Sequence, residues 1–353
     1  MSTLSLFASL GAAFQSFSSH RSSCKVSVPV AKSNPNLISA FERDLASRLE
    51  QLRSADETEY LSIEWLCQAM EMVLSTHSFA ELTASDFDQV VSNGHGKWID
   101  SFMDNSVKLL DTCVVLKAAL AEIKSYIGHL NVALRALEKD PIGEIEVKRC
   151  MNALKQCSNA LNRKDVAVHH LAQRRSKAES CSSMLRKMAE RLNAEDSSKG
   201  DFFMAIYAAQ VVTIFVCSLL SNVLTLSSRW SLLTISRSGH SSWFSSFNTL
   251  QKKVKELIEK KKSNDRNALL MELDMAEIAV RNSHNVLPKI MHANASSDKR
   301  TQILKVKKSA KVLQAVFVDL QQGIPTLESH LENIHGNLLR TRMAFLDMDH
   351  GSY

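Results

Sequence analysis

Histidine and cysteine are the side chains best able to hold a metal or attack a substrate, and this chain has 12 and 7 of them. A metal site needs several such ligands converging on one point, and their spacing usually betrays it. Cys24, Cys67, Cys113, Cys150, Cys157, Cys181 and Cys217 contain no C-x-x-C pair. His169 and His170 are adjacent, so on a helix they point about 100° apart. His330 and His335 are five apart, which also misses a shared face, and no H-E-x-x-H occurs. Gly94-His95-Gly96-Lys97 suggests a phosphate loop, but it lacks the G-x-x-x-x-G-K-[ST] spacing and follows no strand. Its amides would not form a cradle, and it reads as a turn that opens a helix. There is no G-x-S-x-G elbow, and the acids are spread as on solvated helix faces. The expectation is therefore no catalytic, cofactor-binding or metal residues and no cofactor. Most cysteines occupy positions that suit an apolar residue, as reduced core thiols do in a reducing compartment. Asn294-Ala295-Ser296 is a glycosylation sequon, which matters only in a lumenal setting.

Beyond these side chains, the information in the sequence lies in its elements. Only 10 glycines and 5 prolines punctuate 353 residues, so the elements are long, and long elements are helices. The composition predicts an all-α chain. Forty-three bases stand against 37 acids, a net charge of +6, with the two signs mostly interspersed. Nucleic-acid binding calls for a basic stripe with stacking aromatics, so no nucleic-acid partner is expected.

Residues 1–32 form a Ser-rich leader, and the first acid of the chain is Glu42. Arg21, Lys25 and Lys32 are its bases, a composition that reads either as a plastid transit peptide or as an uncleaved tail. Residues 33–200 read as an N-terminal helical bundle. Leu37, Ile38, Phe41, Leu45, Leu49 and Leu52 mark a first helix, and Leu61, Trp65, Leu66, Ala69, Met70 and Val73 a second, from about Tyr60 to Phe79. Asn93, Gly94 and Gly96 mark a turn. Leu116, Leu120, Ile123, Ile127, Leu130, Leu134 and Leu137 then alternate steps of four and three, the spacing of a coiled-coil seam. Ile99, Met103, Val107, Leu110 and Val114 lead into it, and one helix is predicted over Lys97–Lys139. Pro141 and Gly143 close it, and residues Glu144 to Leu192 are predicted helical and antiparallel to it. Their inward positions are Val147, Met151, Leu154, Cys157, Leu161, Val168, Leu171, Met184, Leu185 and Met188.

Residues 229–353 form a C-terminal helical region. After a Ser-rich linker, helices resume near Ser245 with Phe247, Leu250, Val254, Leu257 and Ile258 inward, and continue over Asp265–Met291. The last helix carries Leu313, Phe317, Leu320, Ile324, Leu327, Leu331, Ile334, Leu338 and Phe345 in a register that survives Gly323 and Pro325, with a kink expected there. The architecture expected is an elongated antiparallel helical bundle with coiled-coil seams.

Residues 201–228 raise the largest question. Between Asp201 and Arg229 there is no charge, and about 20 apolar residues suffice to cross a bilayer. Gln210, Asn222, Thr213, Ser218 and Ser221 need partners that a bundle core supplies and lipid does not. Bases flank both ends, so no orientation is assigned. The segment reads as an apolar helix, buried or transmembrane.

LSIEWLCQAMEMVLSTH (61–77) and KWIDSFMDNSVKLLDTC (97–113) resemble the signature of the plant BYPASS family. The matching residues are Trp65, Gln68, Ala69, Met70, Glu71 and His77, then Lys97, Trp98, Asp100, Asp104, Ser106, Lys108 and Asp111. FERDLASRLEQL and GDFFMAIYAAQVV also fit, and the resemblance runs from about Leu37 onward. It implies a non-catalytic helical regulator of plant root and shoot development that restrains a mobile root-derived, carotenoid-related signal. It also implies a membrane-associated or plastid setting, otherwise cytoplasmic, with protein partners through helical faces. Two alternatives stand beside it: an enzyme acting on an apolar signal precursor, and a membrane-tethering adaptor of the exocyst type. From the residues themselves, Trp65 and Trp98 are seam anchors, and Asp100, Asp104 and Asp111 are surface or capping acids.

Overall fold

A computed structural model describes residues 35–82, 96–139, 142–161, 169–192, 201–224, 232–235, 241–264, 268–292 and 296–349. They contain α1 (Pro35–Arg53), α2 (Ile63–Leu82), α3 (Gly96–Leu137), α4 (Glu144–Leu161), α5 (His169–Arg191), α6 (Asp201–Leu224), α7 (Trp243–Ser263), α8 (Met271–His292) and α9 (Ser296–Asp349), and no strand. The all-α expectation holds. The leader, the turn at Asn93 and Gly94 and most of the Ser-rich linker lie outside the described residues. The chain divides into units Met1–Pro35 and Asn36–Tyr353, and all nine helices belong to the second apart from the first residue of α1.

Local chemistry sets several helix ends. Pro35 occupies the first position of α1, where its missing N–H costs nothing. Ser62 caps α2 by accepting the Trp65 N–H at 3.2 Å. Glu272, in the first turn of α8, accepts the Ile63 N–H at 2.9 Å. In return Met271 donates its N–H to the Leu61 carbonyl at 3.1 Å. Leu61 pays for this clamp with a φ of 62°, a left-handed conformation that side chains other than glycine resist. Glu272 is buried, and desolvation raises its pKa although the Ile63 N–H opposes the shift.

The hydrophobic stripes meet in one main core. α9 packs against α8, α3 and α2, while α6 packs against α2, α3 and α5. The α3–α9 pairing is antiparallel. Lys124 meets Glu328, Lys117 meets Glu332 at 3.3 Å, and Arg342 reaches Met103, so residue numbers rise along one helix as they fall along the other. The seams from the two halves of the sequence therefore face each other. Nearly every seam position of α9 named above is buried, with Phe317 half-buried. The five apolar positions of α7 are buried as well.

Two expectations need correction. Ile127 sits at the edge of the core and Tyr126 is buried beside it, because the stripe drifts around a helix with 3.6 residues per turn. Upstream on α3, Val107 and Val114 face outward, 40% and 60% exposed. Phe102, Leu109 and Cys113 are buried instead, together with polar Asn105, Ser106 and Thr112, which hid the true stripe. Of residues 144–192, α4 (Glu144–Leu161) and α5 (His169–Arg191) are helical as expected, and residues 162–168 lie outside the described residues. Leu161, Val168 and Leu171 lie where side chains are not described.

α9 runs unbroken from Ser296 to Asp349 through Pro325. Pro325 is exposed, so water can serve the carbonyl its missing N–H leaves unpaired. Gly323 has a different role. A Cβ there would lie 2.0 Å from the Ile63 Cγ2, so glycine permits the close approach of α9 to the start of α2. Gly323→Ala should destabilise the fold by about 1–3 kcal/mol despite alanine's better helix propensity. Ile63→Ala in the same chain should recover part of the loss, and denaturant unfolding of the four variants in that cycle measures it.

α6 is a buried helix. In its most apolar 18-residue window, 94% of the residues are buried within the bundle. Thr213 and Ser221 find partners on neighbouring helices, and Asn222 bonds back to α6 itself. Thr213 meets His77, Ser221 meets Ser182 at 3.4 Å, and Asn222 donates to the Ser218 carbonyl at 2.7 Å. Phe215 packs edge-on against Phe247 of α7, with ring centroids 5.2 Å apart.

Candidate functional site

The residues with most capacity for chemistry meet where α2, α3, α6 and α9 come together. His77 lies on α2, whose Trp65, Met70 and Val73 face the core and carry it inward. Its Nε2 lies 2.9 Å from the Thr213 Oγ1 of α6. That hydroxyl already donates its proton to the Ala209 carbonyl at 2.6 Å. Thr213 must then accept, so His77 carries its proton on Nε2. Burial pushes the His77 pKa down to about 4, and the ring is neutral at physiological pH.

Next to this pair, Ser106 of α3 donates to the Met103 carbonyl at 2.7 Å. Arg342 of α9 donates from Nη1 to the same carbonyl at 2.7 Å and to Ser106 Oγ at 3.0 Å. Asn105, Ser106, Gln210, Thr341 and His77 contribute to the lining of a cavity of about 10 Å³. That volume holds about one water, not an organic substrate. At the same end of α9, Arg340 lies 3.6 Å from Glu81, whose carboxyl burial pushes upward in pKa and Arg340 pulls back.

An aromatic cluster adjoins this polar interior. Trp98 packs edge-on against Phe203 at 4.8 Å, and Phe102 lies 4.8 Å from Phe345. With Ala80, Ala205 and Ile206 these rings form a second, smaller core. Trp65 is buried on α2 and donates its indole N–H to the Leu52 carbonyl at 3.0 Å. Both tryptophans are anchors, as expected. Asp100, Asp104 and Asp111 are exposed, and Asp104 pairs with Lys108. Glu71 is exposed and lies 3.9 Å from His330.

The motif residues His77 and Ser106 and the α6 residues Gln210 and Thr213 are thus brought together from three separate segments. No spacing rule links them, and Arg342 carries no sequence signal at all. Among the described residues no group of His, Cys, Asp and Glu is placed to hold a metal. Cys113, Cys150, Cys157, Cys181 and Cys217 are buried and unpaired in disulfides. Desolvation raises the thiols of Cys113, Cys150 and Cys157 to about 12, so they stay protonated and unreactive. An open groove of about 470 Å³ lies between α5 and residues 232–235, lined by Arg186, Glu190 and mostly apolar groups. There the Gln251 side chain holds the Ile235 backbone by accepting its N–H at 2.7 Å and donating to its carbonyl at 3.2 Å.

The packed convergence of these segments is matched by kinship. The family model described as "Protein ROH1-like" matches residues 8–202 and 167–348. Protein BPS1, chloroplastic, of Arabidopsis thaliana is 28% identical over 265 residues, 73% of this chain and 71% of that protein. UPF0496 protein 4 of Oryza sativa subsp. japonica is 27% identical over 254 residues, 70% of this chain but about half (53%) of that protein. Protein ROH1A of Arabidopsis thaliana is 24% identical over 144 residues, 35% of each chain. No solved structure matches. The resemblance read from the two helical motifs therefore holds across most of the sequence, and the chain belongs to the ROH1-like family, with the BYPASS protein BPS1 among its relatives.

Proposed function

We propose that this chain is a non-catalytic helical regulator of plant root and shoot development, restraining a mobile root-derived signal of carotenoid-related chemistry. The observation that carries the reading is kinship with BPS1 over most of both chains. The side chains of the two motifs support it by the use they are put to. His77, Ser106 (through Arg342), Trp65 and Trp98 tie helices together, so the motif specifies a scaffold. Outward apolar groups such as Val107 and Val114 on α3 and Leu339 and Met343 on α9 offer protein partners contacts on helical faces. The plastid is the proposed location, since BPS1 is named chloroplastic and residues 1–32 have a transit-like composition.

Grafting tests the role. Roots in which the gene is disrupted should arrest a wild-type shoot, and an inhibitor of carotenoid synthesis should relieve the arrest. Normal growth of the wild-type shoot on such roots would overturn the reading.

A further inference from the structure

Charge is distributed less evenly than the whole-chain balance implies. Residues 281–318, the second half of α8 and the first part of α9, hold Arg281, Lys289, Lys299, Arg300, Lys305, Lys307, Lys308 and Lys311 against the single acid Asp298. That segment alone carries +7, against +6 for the entire chain, so the remainder is close to neutral.

The structure turns this into a surface. On α9, Ile303, Val306, Ala310 and Leu313 face the core. Arg300, Leu304, Lys305, Lys308, Lys311 and Val312 are exposed on the other side. Leu304 is 70% exposed, among the most exposed large apolar side chains of the described structure. Arg300, Lys308 and Lys311 stand four before, four after and seven after it, which puts them on its face of the helix. Among the described residues, Arg300, Lys305, Lys308 and Lys311 make no ion pair, whereas Lys253 and Lys260 on α7 share Glu57. The register of α3 on α9, fixed by Lys124 with Glu328, brings the end of α3 level with about residue 315. The basic stretch lies beyond that point, clear of the acids on α3.

We infer that this face of α9 docks on the surface of an anionic lipid bilayer, with the lysines against the headgroups and Leu304 dipping into the interface. Charge complementarity selects a polyanion. The exposed leucine at the centre of the lysines, and the lack of any Phe, Tyr or Trp between 281 and 316, favour lipid over nucleic acid, which would call for stacking rings. This docking is peripheral and leaves α6 inside the bundle. It stands independently of the developmental role.

The test is flotation of the full chain with vesicles of phosphatidylcholine alone or mixed with phosphatidylserine. The chain should float with the anionic vesicles only and be released by salt. Lys305→Glu with Lys308→Glu and Lys311→Glu, checked for folding by circular dichroism, should weaken partitioning by about two orders of magnitude or more. Leu304→Asn should weaken it less, mainly at raised salt. Equal binding to neutral vesicles, undiminished binding by the triple variant, or no flotation of the wild type would overturn the inference. Binding to single-stranded RNA without vesicle binding would replace it with a nucleic-acid surface. Flotation that persists in the triple variant and resists alkaline carbonate would assign membrane contact to α6 instead.

Discussion

Leu130→Asp should cost about 3–5 kcal/mol of folding stability, the scale of an unpaired charge left in a protein interior. Leu130 is completely buried in the seam of α3, a helix packed against both α4 and α9. A carboxylate there finds no base, since the cross-helix pairs of Lys117 and Lys124 lie on the solvent side. A domain holds about 5–15 kcal/mol in all, so this one change removes a large share. Position dependence makes the prediction specific. Ile127→Asp, at the edge of the core, should cost about 1–3 kcal/mol, and Val114→Asp, outside it, within about 0.5 kcal/mol. Urea unfolding of the three variants measures the order. Indistinguishable midpoints for Leu130→Asp and the wild type would show that α3 does not pack as described.

The second large effect is on pH dependence. His77 has a folded pKa of about 4 against an ordinary 6.5, lowered by burial. Its neutral form belongs to the folded state, so its contribution is fully present above about pH 6.5. As pH falls toward about 4 the unfolded chain binds the proton first, and that contribution is lost. The span corresponds to about 3 kcal/mol for one group. His77→Gln keeps a hydrogen-bonding side chain for Thr213 without a titrating ring. The wild type should therefore lose about 3 kcal/mol more than the variant between pH 7 and pH 4. Parallel stability curves for the two proteins would mean that the ring is solvated and does not hold Thr213.

Periodicity made most of the helices legible. Where an apolar stripe is pure, as in Leu320, Ile324, Leu327, Leu331, Ile334 and Leu338, sequence and burial agree. It failed where polar side chains enter the stripe. Ser106 and Thr112 are buried on α3 with their hydroxyls donated to backbone carbonyls, and Asn105 is buried beside them, so the apolar pattern points instead to Val107 and Val114, which face water. Trp243 likewise begins α7 as a fully buried ring, although its Ser-rich surroundings read as linker. The polar interior was not legible as a set, since His77, Ser106, Thr213 and Arg342 are assembled only by the packing of four helices.

The sequence by itself determined the class, the position of most helices, their buried faces and the family, because each depends on local spacing or on contiguous motifs. It left the fate of residues 201–224 open, because length and polarity suit a lipid span and a core helix equally. The tertiary structure adds what that segment packs against. α3 and α9, which come from opposite sides of α6 in the chain, pack directly against each other, and α6 lies buried in the same bundle. A bilayer crossing by α6 that parted these two helices would strip both seams of their partners. Which stripe meets which is a long-range choice, and no periodicity in one segment can encode it.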